Sequence, residues 1–344
     1  VRDTEAVQLV IVGLNFGKGM ANLIQRDVPS LRVAGLCDQD TAKAMELGTK
    51  LGATVYDSLD AALEDPAVEA IGLFTGPHGR AALISKILRA GKHIITTKPF
   101  ELDLDAAARV LDEARERKLA IHLNSPAPHP SEDLQVIAGW VKEHQLGLPL
   151  SLHAQTWAHY REQANGTWYD DPRLCPAAPI LRLGIYFLND FVPLLGPARR
   201  VFASQSRIFT KRPTADHAQV ALEFKGGGVG TVFASFCTND GQPYRDQVLL
   251  HYENGTIRRW MERVKGPDMG RDYAVLELTT GGKQYEARTT PGAYAGWYQW
   301  DAFARAVRSN EPTSLEHKER ILTGLRLMDS VRRSLETGLP EEVS

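Results

Sequence analysis

The sequence predicts a doubly wound parallel α/β domain over residues 1–125, followed by an α+β domain with a large open, mainly antiparallel sheet over 126–344. Three observations carry this. Strand-length apolar runs alternate with helical segments through the first third, a glycine turn follows the first run at once, and after "NSPAPHP" strand follows strand with few helices between.

Each element can be justified in order. Residues 7–12, "VQLVIV", are almost continuously apolar, as a strand buried on both faces of a parallel sheet must be. The turn "GLNFGKG" and the helical spacing of "MANLIQRD" come next, and the strand "LRVAGLCD" ends at Asp38. The pattern continues as helix 41–51, strand 53–55, helix 58–64, strand "VEAIGLFT", helix 79–90, strand "HIITT", helix 103–117 and strand "AIHLN". Such alternation means right-handed βαβ units. Clustered prolines near residue 126 mark a linker. After the helix "SEDLQVIAGWVKEHQLG" come "LSLHAQTW", "RVFASQSRIF", "AQVALEF", "GVGTVFASF", "QVLLHYE", "TIRRWME" and "AVLEL". Serial strands joined by Gly and Asn turns argue for an antiparallel sheet. Residues 298–338 read as terminal helices able to pack back on the first domain.

Composition narrows the function classes. A net charge of −2 offers no basic field for nucleic acid or an anionic membrane. The longest apolar runs fall far short of a bilayer span, and no signal peptide is seen, so a cytoplasmic protein is expected. Three scattered cysteines (Cys37, Cys175, Cys237) suit a reducing compartment. The ten histidines show no metal-ligand spacing, so no metal is expected.

The glycine turn points to a dinucleotide. A strict G-x-G-x-x-G would put glycines at 13, 15 and 18; here the residues are Gly13, Asn15 and Lys18, with Gly17 and Gly19 offset by one. Gly13 can make the tight turn, Asn tolerates left-handed backbone angles, and Gly17 and Gly19 let the helix start approach a pyrophosphate. Phe16 belongs to the same loop. Asp38 stands where a carboxylate accepts the adenosine ribose hydroxyls and repels a 2′-phosphate. NAD is therefore expected, with NADP not excluded. Lys43, just inside the next helix, would weaken that preference if it turned back.

At "LRAGKHIITTKPFELDLDAAARVLDEARERKLAIHLN" the chain resembles the Gfo/Idh/MocA oxidoreductases (glucose-fructose oxidoreductase, inositol dehydrogenase, rhizopine catabolism). That family has Glu-Lys-Pro where this chain has Thr97-Lys98-Pro99, and Thr-Pro-Asn-x-x-His where it has Thr75 through Arg80. "PILRLGIYFLNDFVPLLG" resembles the active-site segment, with Arg182-x-Gly184-x-Tyr186 in place of Asp-x-Gly-x-His. "GIYFLN" is nearer to the glucose-fructose oxidoreductase branch. The resemblance spans nearly the whole chain. It implies a nicotinamide-dependent dehydrogenase or reductase acting on a hydroxyl or carbonyl of a sugar, polyol or related cyclic substrate. It also implies a homodimer or homotetramer.

The chemistry needs a group that moves a proton at the reacting oxygen while the cofactor handles hydride. Lys98 ends a sheet strand, on the side where doubly wound folds bind ligands. Its ammonium can donate to a carbonyl oxygen, and its neutral amine can accept an alcohol proton. Pro99 keeps Lys98 away from helical angles. Tyr186 is the second catalytic candidate, through a phenol that can join a proton relay. Thr75 and His78, on a strand-to-helix turn, join Lys98 as cofactor-side candidates. Arg182, one turn before Tyr186, is a candidate for an anionic substrate group or a structural ion pair. Asn189, Trp157, His159 and Tyr160 are candidates for binding a sugar ring. Two alternatives stand beside this reading. The departures at Arg80, Thr97, Arg182 and Tyr186 would suit a dinucleotide-sensing regulatory protein. "GLNFGKG" resembles the loop of thiazolinyl imine reductases.

Overall fold

The computed structural model describes residues 6–242, 244–264 and 271–343, so residues 1–5 of the expected first domain lie outside it. The chain divides into two compact units. One holds the chain up to Pro128 together with Tyr298–Leu322. The other holds most of His129–Trp297 and the chain from Thr323.

The first unit is a six-stranded, wholly parallel sheet. Its strands are β1 (Val7–Val12), β2 (Leu31–Cys37), β3 (Thr54–Val55), β4 (Ala70–Leu73), β5 (His93–Thr96) and β6 (Ile121–His122). They alternate with helices α1 (Leu14–Asp27), α2 (Thr41–Leu51), α3 (Leu59–Glu64), α4 (Arg80–Arg89) and α5 (Leu104–Glu116). The order β3-β2-β1-β4-β5-β6 is the doubly wound arrangement, and the strand order reverses between β1 and β4. Ligands of such sheets bind at that reversal, off the carboxyl ends of the strands. β4 and β5 are buried along their whole length, which explains their largely apolar reading. Side chains cap α2, α3 and α5: Asp40, Ser58 and Asp103 accept from backbone amides of the first turn. α1 instead begins at Gly13 with no side-chain cap.

The second unit begins with α6 (Glu132–Glu143) and β7 (Pro149–Ala158) and contains α7 (Ile185–Asp190). β8 (Ala198–Ser206), β9 (His217–Phe224), β10 (Val229–Ser235), β11 (Tyr244–Tyr252), β12 (Gly255–Glu262), β13 (Tyr273–Thr280) and β14 (Lys283–Arg288) follow. α8 (Trp300–Ser309) belongs to the first unit, where Arg308 pairs with Glu69. α9 (Leu315–Thr337) contributes to both units, and β15 (Glu341–Glu342) closes the second. The nine-stranded sheet runs β14-β13-β12-β11-β7-β10-β9-β8-β15. Only β7 and β10 pair in parallel; the other neighbours are antiparallel, as expected.

Alternation does the work in this sheet. Val220, Leu222, Val232, Ala234, Val248, Leu250, Ile257 and Leu276 are buried, while intervening His153, Gln155 and Gln247 are not. Two strands were not expected. β14 is an exposed polar edge strand, "KQYEAR", with no apolar alternation to mark it, and β15 pairs over only two residues.

Candidate active site

The first unit builds the loop at the end of β1 from one glycine and one carboxylate. Gly13 takes φ 88°, and its amide donates to the Cys37 carbonyl (3.0 Å). A Cβ there would lie 2.9 Å from the Phe74 carbonyl oxygen, so the turn passes close over the end of β4. Asp38 accepts from the Leu14 amide (2.5 Å) and the Asp40 amide (2.8 Å), which fixes its carboxylate at the loop. Asn15 and Phe16 are exposed, and the Phe16 ring stands edge-on to Phe74 (5.7 Å). Gly17 faces inward: a Cβ would come 2.8 Å from Ile11 Cγ2, so this residue lets α1 lie close to the sheet. Lys43 does turn back, its ammonium donating to Asn15 Oδ1 (2.9 Å). The uncapped start of α1, the side-chain-free surface at Gly13 and the carboxylate after β2 fit the pyrophosphate and ribose of a dinucleotide.

Lys98 is half-buried just past β5, and its peptide bond to Pro99 is cis. Three supports hold this turn. The Lys98 amide donates to Asn124 Oδ1 (3.2 Å), just beyond β6. Glu101, 2% exposed, accepts from the amides of Ala81 (2.7 Å) and Leu102 (2.7 Å), placing a carboxylate at the start of α4. Arg80, 1% exposed, donates through Nη1 to the carbonyls of Thr97 (2.7 Å), Pro99 and Phe100 (3.1 Å), and through Nη2 to that of Thr75. Thr75 is half-buried and His78 exposed on the same β4–α4 turn.

In the second unit a cleft of about 270 Å³ is lined by Tyr160, Tyr186, Phe187, Tyr244, Tyr294 and Trp297, with Arg259 and Arg263 among its polar groups. Tyr186 reaches it from α7, which continues directly from a turn of π-helix at Ile180–Gly184. Gly296 (φ 92°) presses on the Tyr186 ring; a Cβ there would lie 2.8 Å from Cδ1. Arg259 is 2% exposed and bridges Asp133 (2.9 Å) and Asp246 (2.9 Å). Arg263 lies over the Tyr244 ring (4.2 Å) and bonds Asp272 (2.5 Å). Burial pushes the phenols of Tyr160, Tyr244 and Tyr294 above the ordinary tyrosine value, so they stay protonated across the neutral range.

The other expected substrate-side residues lie elsewhere in this unit. Arg182 makes a forked ion pair with Glu162 (2.7 and 3.1 Å) beneath the faces of Tyr160, Tyr169 and Phe236. Arg212 shares Glu162 (3.0 Å). Burial alone would raise the Glu162 carboxyl, but the two arginines outweigh it and hold the pKa below the ordinary glutamate value. Asn189 is buried against the last helix, its Oδ1 2.1 Å from where a Cβ on Gly324 would stand. Trp157 donates from the sheet to Asp240 (3.0 Å), and His159 is exposed. Tyr186 and Tyr160 are thus brought together at the cleft; Arg182, Asn189, Trp157 and His159 do not line it.

One acid–His–Cys trio, Asp216, His217 and Cys237, has ligand atoms within 4.8 Å of one another. Its chemistry is that of a loop anchor. Asp216 accepts from the amides of Ile208 (2.9 Å), Phe209 (2.6 Å) and Thr210 (2.8 Å), and burial with the neighbouring carboxylate pushes the Cys237 thiol up to about 11.

Comparison with known proteins agrees with this fold. Residues 7–125 match the model of an oxidoreductase family with an NAD-binding Rossmann fold, and residues 134–258 match the GFO/IDH/MocA C-terminal domain. The chain belongs to the Gfo/Idh/MocA oxidoreductase family. Along 96% of its length it is 28% identical to the dTDP-3,4-didehydro-2,6-dideoxy-alpha-D-glucose 3-reductase of Streptomyces violaceoruber, covering 97% of that protein. It is 25% identical to the UDP-N-acetylglucosamine 3-dehydrogenase of Acidithiobacillus ferrooxidans, a match spanning 59% of each chain. In fold it is similar to KijD10, a 3-ketoreductase from Actinomadura kijaniata solved with NADP (TM-score 0.73, 20% identity, 96% of this chain and 98% of that one).

As a Gfo/Idh/MocA protein the chain is an NAD(P)-dependent oxidoreductase with sugar-related reductases among its relatives. Among the described residues no helix is long and apolar enough to cross a membrane. Several site residues escaped sequence reasoning. Glu162 lies twenty residues before its partner Arg182, and no local spacing links them. Asp133 follows Ser131 as an ordinary helix-start pair would, yet its second oxygen serves Arg259. "GAYAGW" carried the one legible signal: a glycine among aromatics, where backbone must pass close to a ring.

Proposed function

We propose that this enzyme transfers hydride between nicotinamide and a hydroxyl or carbonyl carbon of a sugar, polyol or nucleotide-activated sugar, with Lys98 moving the proton at the reacting oxygen. The observation that carries the reading is the Lys98 turn: a half-buried lysine at the carboxyl end of β5, on a backbone tied to α4, Glu101 and Asn124. Bound nicotinamide supplies or accepts the hydride. Gly13, the start of α1 and Asp38 would hold the dinucleotide, with Phe16, Thr75 and His78 beside it. In the reductive direction Lys98 donates a proton to the carbonyl oxygen; in the oxidative direction its neutral amine takes the alcohol proton. Tyr186, in the aromatic cleft of the second unit, is the second catalytic candidate, through its phenol. Tyr160, Tyr294 and Trp297 offer a sugar ring flat apolar faces with polar tips.

Arg182 takes a structural role in this reading, because Glu162 already answers its charge. The carboxylate of Asp38 favours NAD over NADP, with the Lys43 ammonium at Asn15 a cation that opposes it. Exposed Phe202 and Val229 on the outer face of the nine-stranded sheet support assembly as a homo-oligomer, which sedimentation would test.

The test is a screen of free sugars, polyols and UDP- and dTDP-sugars for cofactor reduction or oxidation, followed by Lys98→Met. The variant should bind NAD normally and lose turnover by on the order of a hundred- to ten-thousand-fold. Undiminished kcat in Lys98→Met would overturn the role.

A further inference from the structure

We infer that Arg80 is the positioning residue for Lys98, an inference that rests on the proton-moving role proposed above. Arg80 is the first residue of α4, set there by Gly79 in the left-handed region (φ 66°). Its side chain runs inward until only 1% of the residue is exposed. Nη1 then reaches the carbonyls that flank Lys98 on both sides, Thr97 before it (2.7 Å) and Pro99 and Phe100 (3.1 Å) after it. Nη2 holds the Thr75 carbonyl. One planar guanidinium therefore ties the turn after β4 to the turn after β5 and leaves Lys98 between its fixed points.

No other side-chain type reproduces this. The fork presents donors in a rigid plane, and each bond is strengthened by the charge. A lysine ammonium is a single point and cannot serve Thr75 and Phe100 together. Two of the places where this chain departs from the family pattern in the first unit, Arg80 and Thr97, are the two ends of the 2.7 Å hydrogen bond. The anchor at Thr97 is its backbone carbonyl, held by a permanent cation. Glu101 supports the same turn from its far side, through the Ala81 and Leu102 amides.

The test uses the full chain and needs no knowledge of the natural substrate. The probe is the dinucleotide in which an aldehyde replaces the nicotinamide carboxamide (3-pyridinecarboxaldehyde adenine dinucleotide). An amine beside the ring condenses with it, losing water, and cyanoborohydride reduces the imine to a stable secondary amine that peptide mass spectrometry locates. The native protein should be trapped at Lys98. Arg80→Met, at saturating probe, should be trapped there on the order of tenfold more slowly, because misplacing a group by an ångström costs that much or more. Affinity for NAD by calorimetry should stay within twofold, and amide exchange at residues 95–102 should quicken.

Arg80→Lys should recover only part of the trapping rate, and it decides the matter if Arg80→Met does not fold. Equal trapping rates in native protein and variants would overturn the Arg80 inference while leaving Lys98 in place. An absence of trapping at Lys98 in the native protein would instead overturn the Lys98 reading. Loss of NAD affinity in step with trapping would make Arg80 a general structural residue and refute the positioning role.

Discussion

Gly13→Ala tests the dinucleotide loop by adding one methyl group. At φ 88° and ψ 99° Gly13 occupies a region that side chains disfavour, at a cost of about 1–3 kcal/mol. The new Cβ would also lie 2.9 Å from the Phe74 carbonyl oxygen, 3.0 Å from its carbon and 3.2 Å from the Thr75 amide nitrogen. All three are backbone atoms between β4 and its loop, so none can rotate aside, and crowding of this kind costs about 1–3 kcal/mol more. The sum is about 2–6 kcal/mol. It falls on the residue next to Leu14, whose amide holds Asp38, so affinity for NAD should weaken by about tenfold or more, which is about 1.4 kcal/mol. Gly17→Ala is the control. Its Cβ would meet the branch methyl Cγ2 of buried Ile11 at 2.8 Å and Phe74 Cδ2 at 3.2 Å, side-chain rather than backbone atoms, at an unstrained helical position where alanine gains about 1 kcal/mol of helix propensity. Urea unfolding and NAD calorimetry on both variants measure the contrast. The reasoning fails if Gly13→Ala loses less than 1 kcal/mol and binds NAD as before, or if Gly17→Ala proves the more damaging of the two.

Asp38→Ser removes the carboxylate proposed to face the ribose and keeps Lys43, paired with Asp40, beside the loop, so the ratio of NADP to NAD affinity should rise about tenfold; an unchanged ratio by calorimetry would remove Asp38 from the specificity argument. Arg259→Met strands Asp133 and Asp246, both buried, and should destabilise the protein by about 3–5 kcal/mol in urea; a loss below 1 kcal/mol would mean that the aspartates find other partners. Glu162 has a folded-state pKa below its unfolded value. Its contribution is therefore present above the ordinary glutamate range, about pH 4.3, and is lost as pH falls through the depressed folded value. Glu162→Gln should accordingly flatten the acid limb of the stability curve below about pH 4, whereas parallel curves for native protein and variant would refute the linkage.

Much of the first unit was legible because its signals are local. The largely apolar β1, β4 and β5 and the capped helices α2, α3 and α5 each announce themselves within a few residues. β14 and β15 were missed for the converse reason, since a polar edge strand has no buried face to impose a period of two. At the candidate site, the sequence marked Lys98, Asp38 and Tyr186 as residue types in a pattern, but it could not say what each one touches. Lys43 shows the limit well: its position in α2 was plain, yet only the fold sends its ammonium back to Asn15, twenty-eight residues away.

The sequence by itself determined the two architectures, the glycine turn after β1, and the Lys-Pro turn after β5, because each depends on backbone preference and hydrophobic period over short spans. Tertiary structure alone decided the company those residues keep. It gave Arg182 to Glu162, turned Asn189 toward Gly324, and set Arg80 under the Lys98 turn. A charged side chain taken out of water must find partners wherever the chain brings them, and that choice is made by packing across long separations.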